Sequence, residues 1–251
     1  MARVFLDRVD LTFRVRQQKQ ITLKEYLLKG MFLHSRNPLT QVRALQQLSL
    51  EIGEGEKVGV IGSNGSGKSS LLRLLAGIYH PTSGKCSVLG KVSSLFELAL
   101  GFEMESNGWK NIFMRGYLQG ESVAGMKQKA EEIADFCELG KFLDLPVRYY
   151  SAGMLVRLAF SIATAMEPEV LLVDEILNAG DHSFRAKAKQ RMQSMMEKAR
   201  LMVLVSHDLD MLPELCDRVI WLEQGRLKMD GTPEEVIRCY TESPQAQLTY
   251  S

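Results

Sequence analysis

Residues 58–77 read Val-Gly-Val-Ile-Gly-Ser-Asn-Gly-Ser-Gly-Lys-Ser-Ser-Leu-Leu-Arg-Leu-Leu-Ala-Gly, and this stretch restricts the fold more than any other in the chain. An apolar strand (Val58, Val60, Ile61) runs into a glycine-rich turn, after which Leu71, Leu72, Leu74 and Leu75 recur at helical spacing. The turn, Gly62-x-x-x-x-Gly67-Lys68-Ser69, is a phosphate-binding loop pattern. Glycines at 62, 65 and 67 permit positive φ, so successive N–H groups can converge on an anion, and the following helix adds its positive N-terminal end. Lys68 is expected on the β- and γ-phosphates of a nucleotide, and the Ser69 hydroxyl on Mg²⁺.

The rest of the chain is placed relative to this loop. Residues 3–13 carry the short apolar runs and partial alternation of a sheet-edge strand, and residues 45–52 read as a second strand, giving an antiparallel flap ahead of the loop. Between them, residues 16–43 form an insertion. There Thr22-x-x-Glu25 is a capping box, and Leu23, Tyr26, Leu27 and Met31 share one face of an expected amphipathic helix. A strand pair is expected around residues 86–95. From about residue 107 to 165 the pattern is helical, with amphipathic segments at 107–118 and 123–139. Residues 170–173 and 201–205 are continuous apolar runs, as in parallel strands covered on both faces, with a crossover helix over 182–199 between them. A strand at 218–222, a turn at Gln224-Gly225 and a helix beginning Thr232-Pro233-Glu234-Glu235 complete the pattern. The predicted organisation is a single α/β domain whose core spans 1–94 and 166–240, with a helical subdomain at 95–165 and a frayed tail at 243–251.

Three further stretches carry chemistry. Asp174 and Glu175 end a buried strand, at the sheet edge where open parallel sheets bind ligands. Asp174 would hold Mg²⁺ directly or through water, and Glu175 would orient the attacking water; the bland reading is two acids that merely end a strand. His207 follows the next strand at the same edge, placed for contact with the γ-phosphate or the water unless it is structural. In Tyr150-Ser151-Ala152-Gly153-Met154, Ser151 can cap the helix that follows while Gly153 admits a ligand to its backbone, making a second anion-binding helix start.

Composition narrows the partners. With 31 Lys plus Arg against 30 Asp plus Glu, the net charge of +1 provides no basic field for nucleic acid. The four cysteines show no C-x-x-C pairing, arguing against a disulfide scaffold or a zinc site and for free thiols in a reducing compartment. Early charges (Arg3, Asp7, Arg8, Asp10) leave no signal-peptide apolar core, and no run approaches the roughly 18 apolar residues of a membrane span. The expectation is a soluble, cytoplasmic chain.

The order of motifs, from phosphate loop through helical segment and Ser-x-Gly helix to paired acids about 20 residues later, resembles that of the ATP-binding-cassette ATPases over nearly the whole length. In that family residues 150–154 match the signature loop, usually Leu-Ser-Gly-Gly-Gln: Ser151 and Gly153 agree, whereas Tyr150, Ala152 and Met154 depart in the manner of polysaccharide exporters. The resemblance implies an α/β P-loop NTPase core of RecA-like type, with a mostly parallel sheet, an antiparallel flap and a helical subdomain. It further implies ATP and Mg²⁺ as ligands, held by Phe13, Gly62, Ser63, Asn64, Gly65, Ser66, Gly67, Lys68, Ser69 and Ser70. Ser151, Ala152, Gly153 and the D-loop Asp181 would close the site from a second copy in a head-to-tail homodimer. Phe13 would stack on adenine, its alternative being a core residue of the flap. Glu97, in Ser94-Leu-Phe-Glu-Leu-Ala-Leu-Gly101, stands where the family usually has a glutamine near Mg²⁺; it is otherwise a surface carboxylate. The implied role is the ATPase subunit of an exporter of O-antigen, teichoic acid or a similar lipid-linked glycan. It would sit peripherally on the cytoplasmic face of the membrane against two copies of a transmembrane permease, with no nucleic-acid partner. A soluble cassette ATPase acting on nucleic acid or ribosomes, a cassette serving another substrate, and a P-loop kinase are the alternatives.

Overall fold

The computed structural model describes residues 1–16, 39–96, 101–174 and 182–243, and of residues 16, 39, 182 and 183 only the backbone. In chain order its elements are β1 (Arg3–Arg16), β2 (Leu39–Ile52), β3 (Lys57–Ile61), α1 (Lys68–Leu75), β4 (Ser83–Leu89), β5 (Val92–Ser94), α2 (Gly108–Leu118), α3 (Val123–Cys137), α4 (Ala152–Thr164), β6 (Val170–Asp174), α5 (His182–Lys198), β7 (Leu201–Val205), α6 (Leu212–Leu215), β8 (Arg218–Glu223), β9 (Arg226–Gly231) and α7 (Pro233–Thr241). Two short 3₁₀ turns, Gly140–Asp144 and Val147–Tyr149, connect α3 to α4.

The strands form two sheets, ordered β2-β1-β4 and β5-β6-β7-β3-β8-β9. In the larger one β5, β6, β7, β3 and β8 are parallel and β9 returns antiparallel to β8. The expected strand pair around residues 86–95 does not form. β4 joins β1 in the flap, whereas β5 pairs with β6 in the core sheet. Gly90 permits this parting: its φ is 109°, and the chain turns there beside Glu169 and Val170. The flap strands are also longer than expected, pairing as far as Arg16↔Leu39. The predicted helix around Thr22, Glu25, Leu23, Tyr26, Leu27 and Met31 lies outside the described residues.

Alternation along the parallel strands divides the core in two. Val58, Val60, Leu172, Val203 and Val205 face a cluster built from the flap and the four α1 leucines. Ile61, Leu171, Val173, Met202 and Leu204 face the other way, onto Phe160, Phe184, a methionine group on α5, and Tyr240 of α7. At eight residues α1 is too short to hold itself together. Its leucines are at most 2 % exposed, each burial contributing roughly 1.5–3 kcal/mol, so packing rather than propensity sets this helix in place. A third cluster forms the helical subdomain, and α4 belongs to two clusters at once. Its Ala159, Phe160 and Ala163 meet the core sheet, while Leu158 and Ile162 meet α2 and α3. Thr232 occupies the N-cap of α7 as expected, but its hydroxyl makes no capping bond there. No helix among the described residues is long and apolar enough to cross a membrane.

Candidate functional site

The phosphate loop has the backbone its glycines permit. Gly62, Gly65 and Gly67 have φ of 149°, 79° and 108°. At Gly62 a Cβ would stand 2.2 Å from the Leu222 carbonyl oxygen and 2.6 Å from Ser66 Oγ; at Gly67 it would stand 2.6 Å from the Ala44 carbonyl oxygen. Neither position accepts a side chain. Gly67 is the N-cap of α1 and carries no capping group, so the first-turn N–H groups stay available to an outside anion. Lys68 is 7 % exposed and arches back over the loop, its Nζ donating to the carbonyl oxygens of Gly62 (2.6 Å) and Ser63 (3.1 Å). Ser66 Oγ is buried with no hydrogen-bond partner among the described residues. Asn64 and Gly65 are exposed at the tip, and Ser63, Ser69 and Ser70 are half-buried. An uncapped helix start, a buried cation and an orphan hydroxyl in one turn suit a polyphosphate.

Sheet register brings the next residues to the same edge. Asp174, the half-buried last residue of β6, lies opposite Val205 of β7, and Val205 lies opposite Val60 of β3. The chain therefore leaves β3 into the phosphate loop beside the point where it leaves β7 into Ser206 and His207. Ser206 Oγ accepts from the Asp208 N–H at 3.0 Å, turning the backbone so that His207 is exposed. No cluster of three or more His, Cys, Asp or Glu suited to a metal occurs among the described residues. The Asp174 carboxylate and the Ser69 hydroxyl are hard oxygen donors of the kind that Mg²⁺ takes beside phosphates and water. Glu97, Glu175 and Asp181 lie outside the described residues.

Phe13 of the flap packs edge-on against Tyr79, with ring centroids 5.1 Å apart and planes at 69°. Tyr79 was not singled out from the sequence; the only signal for it is that an aromatic follows the loop helix. The sequence marks Gln224–Gly225 only as a turn, yet it backs the phosphate loop. The Gly225 N–H donates to the Ser66 carbonyl (2.8 Å) and its carbonyl accepts from the Gln46 N–H (2.8 Å). These contacts tie loop, core hairpin and flap together, and no local pattern announces them.

Ser151, Ala152 and Gly153 form the exposed N-terminal turn of α4. Ser151 caps it as expected, its Oγ accepting from the Met154 N–H at 3.2 Å. Tyr150 is an anchor: its hydroxyl donates to the Phe142 carbonyl at 2.7 Å, and burial pushes its pKa up to about 12. Gly108, at the start of α2, makes room for it, since a Cβ there would lie 2.5 Å from that hydroxyl. The α4 start is thus fixed to the helical subdomain, whereas the phosphate loop is packed by Ala44, Leu45, Leu222 and Gly225.

A family model described as "ABC transporter" matches residues 45–178. The O-antigen export system ATP-binding protein RfbE of Yersinia enterocolitica is 41% identical over 229 residues, covering 90% of this chain and 96% of that protein. The teichoic acids export ATP-binding protein TagH of Lactococcus lactis is 38% identical over 227 residues, covering 83% of this chain but only 48% of that protein. Among solved structures, a dimeric ATP-binding cassette in a post-hydrolysis state with ADP and Pi superposes with a TM-score of 0.66 at 21% identity, covering 92% of this chain and 98% of that one.

Proposed function

The chain belongs to the ABC transporter family of ATPases, and on that footing we propose that it powers export of a lipid-linked polysaccharide, of the O-antigen kind or a similar glycan, through a separate membrane subunit. ATP hydrolysis is its activity. The phosphate loop carries the ATP reading: three left-handed glycines, an uncapped helix start and a buried lysine meet at one turn. The export reading is supported by the Yersinia relative, matched over nearly its full length.

In this reading the N–H groups of residues 62–70 and the Lys68 ammonium bind the β- and γ-phosphates, and Phe13 with Tyr79 meets the base. Ser69 and Asp174 hold Mg²⁺, with Glu97 as a further candidate; the ion's chemistry there is to neutralise phosphate charge. Glu175 orients the attacking water, and His207 stands at the γ-phosphate end. The exposed turn at Ser151, Ala152 and Gly153 presents a second helix start to the nucleotide of another copy, with Asp181 near the joint, so that two chains close two sites. The dimer would sit peripherally at the cytoplasmic side of its membrane partner. The test is genetic. Deleting the gene in its host should remove the polymer from the cell surface while the lipid-linked glycan accumulates inside. Normal surface polymer would refute the export reading and leave the ATPase intact.

A further inference from the structure

Outside the nucleotide site the flap carries a polar hollow of about 420 Å³. Its cations are Arg14, Arg43 and Arg226, set among Thr12, Gln41 and Gln46. The β1–β2 register, Thr12↔Arg43, Phe13↔Val42 and Arg14↔Gln41, explains the arrangement. Successive residues point to opposite sides, so Phe13 and Val42 take one side of the ribbon while Thr12, Arg14, Gln41 and Arg43 take the other. Arg226 closes the hollow from β9, its Nη2 donating to Gln46 Oε1 at 3.3 Å. Among the described residues none that lines it is aromatic or aliphatic.

Among the described residues that line the hollow, three guanidinium groups accompany one carboxylate, that of Asp10, which is already satisfied. Asp10 accepts from Ser83 Oγ (2.7 Å) and from the Gln47 N–H (3.0 Å) and side-chain amide. These bonds, with Arg43 nearby, hold its carboxyl below the usual range, so it stays an anion without needing a full ion pair. Among the described residues Arg14, Arg43 and Arg226 form no ion pair within 4 Å. Such forks, converging with amide and hydroxyl donors, match the several oxygens of a phosphate better than the two of a carboxylate.

We infer that this hollow is a second anion site, one that binds a phosphate-bearing group apart from the nucleotide loop. The inference neither uses nor requires the export reading. The site is one backbone link from the loop: Gln46 and Arg226 flank Gly225, whose N–H holds the Ser66 carbonyl. The phosphate could be that of a soluble pyrophosphate or of a lipid headgroup, and the experiment separates the two.

Full-length Lys68→Ala, in which the nucleotide loop has lost its central cation, is titrated with inorganic pyrophosphate by calorimetry. Binding is expected, weakening about tenfold or more when Arg14→Glu and Arg43→Glu are added. If those reversals disturb folding, Arg14→Gln with Arg43→Gln serves instead, checked by its melting curve. Co-sedimentation with phosphatidylcholine vesicles, with and without phosphatidic acid, identifies the source. Retention that needs both phosphatidic acid and the arginines assigns a headgroup, whereas arginine-dependent pyrophosphate binding without vesicle retention assigns a soluble phosphate. Absence of pyrophosphate binding to Lys68→Ala, or binding that survives arginine replacement in a folded chain, overturns the site.

Discussion

Gly153→Ala separates what the fold needs from what the reaction needs. Gly153 has no left-handed φ, and a Cβ there would find only Ser151 Oγ, 3.9 Å away. It is the second residue of α4, after the Ser151 cap and Ala152. Alanine is the better helix former by up to about 1 kcal/mol, less in a first turn, so stability should hold or rise by about 0.5 kcal/mol. For a chain of this size that moves Tm by about 1–2 °C upward. Turnover should respond in the opposite sense. A methyl group on this exposed turn would push back a phosphate approaching the backbone, and each hydrogen bond to a charged group contributes about 1.5–3 kcal/mol. Loss of one such bond lowers the rate about 10- to 150-fold. Thermal melts and phosphate release at saturating ATP and high protein concentration measure the two effects separately. Wild-type turnover would refute the idea that this backbone faces a ligand. A melting point lowered by several degrees would show instead that the fold requires the glycine.

Lys68→Ala should abolish most ATP binding and turnover, because the triphosphate loses its central cation while the carbonyls of Gly62 and Ser63 lose their shared donor; equilibrium nucleotide binding checks it, and wild-type affinity would sink the assignment. Glu175→Gln should keep ATP binding but nearly stop hydrolysis, so that ATP traps a dimer detectable by sedimentation at high protein concentration. Gly225→Ala should destabilise although it touches no phosphate: its φ is 78° and a Cβ would meet the Ala44 carbonyl oxygen at 2.6 Å. A left-handed alanine costs about 1–2 kcal/mol before β2 shifts to relieve that contact, so Tm should drop by about 2–8 °C with a parallel loss of ATP affinity; an unchanged melt would show that the turn does not back the loop.

Local chemistry was legible in the chain from the start. A glycine pattern dictates its own backbone, so the phosphate loop could be read residue by residue, and so could the Ser151 cap, the buried runs of β6 and β7, and their ends at Asp174 and His207. Each of these depends on residues within about one helical turn of one another. The tertiary structure decided what depends on distant partners. β4 and β5, two residues apart, went to different sheets because β1 and β6 offered each its own edge. Gly225 came to back the phosphate loop only when the fold brought it against Ser66 and Ala44. Tyr150, a departure when read as a motif, proved to be the pin that seats the α4 turn on α2. Gathering three arginines on one side of the flap likewise required the β1–β2 register and the arrival of β9. Side-chain period and glycine conformation are short-range properties written in the order of residues, whereas the choice among strand edges is made by total burial across the whole molecule.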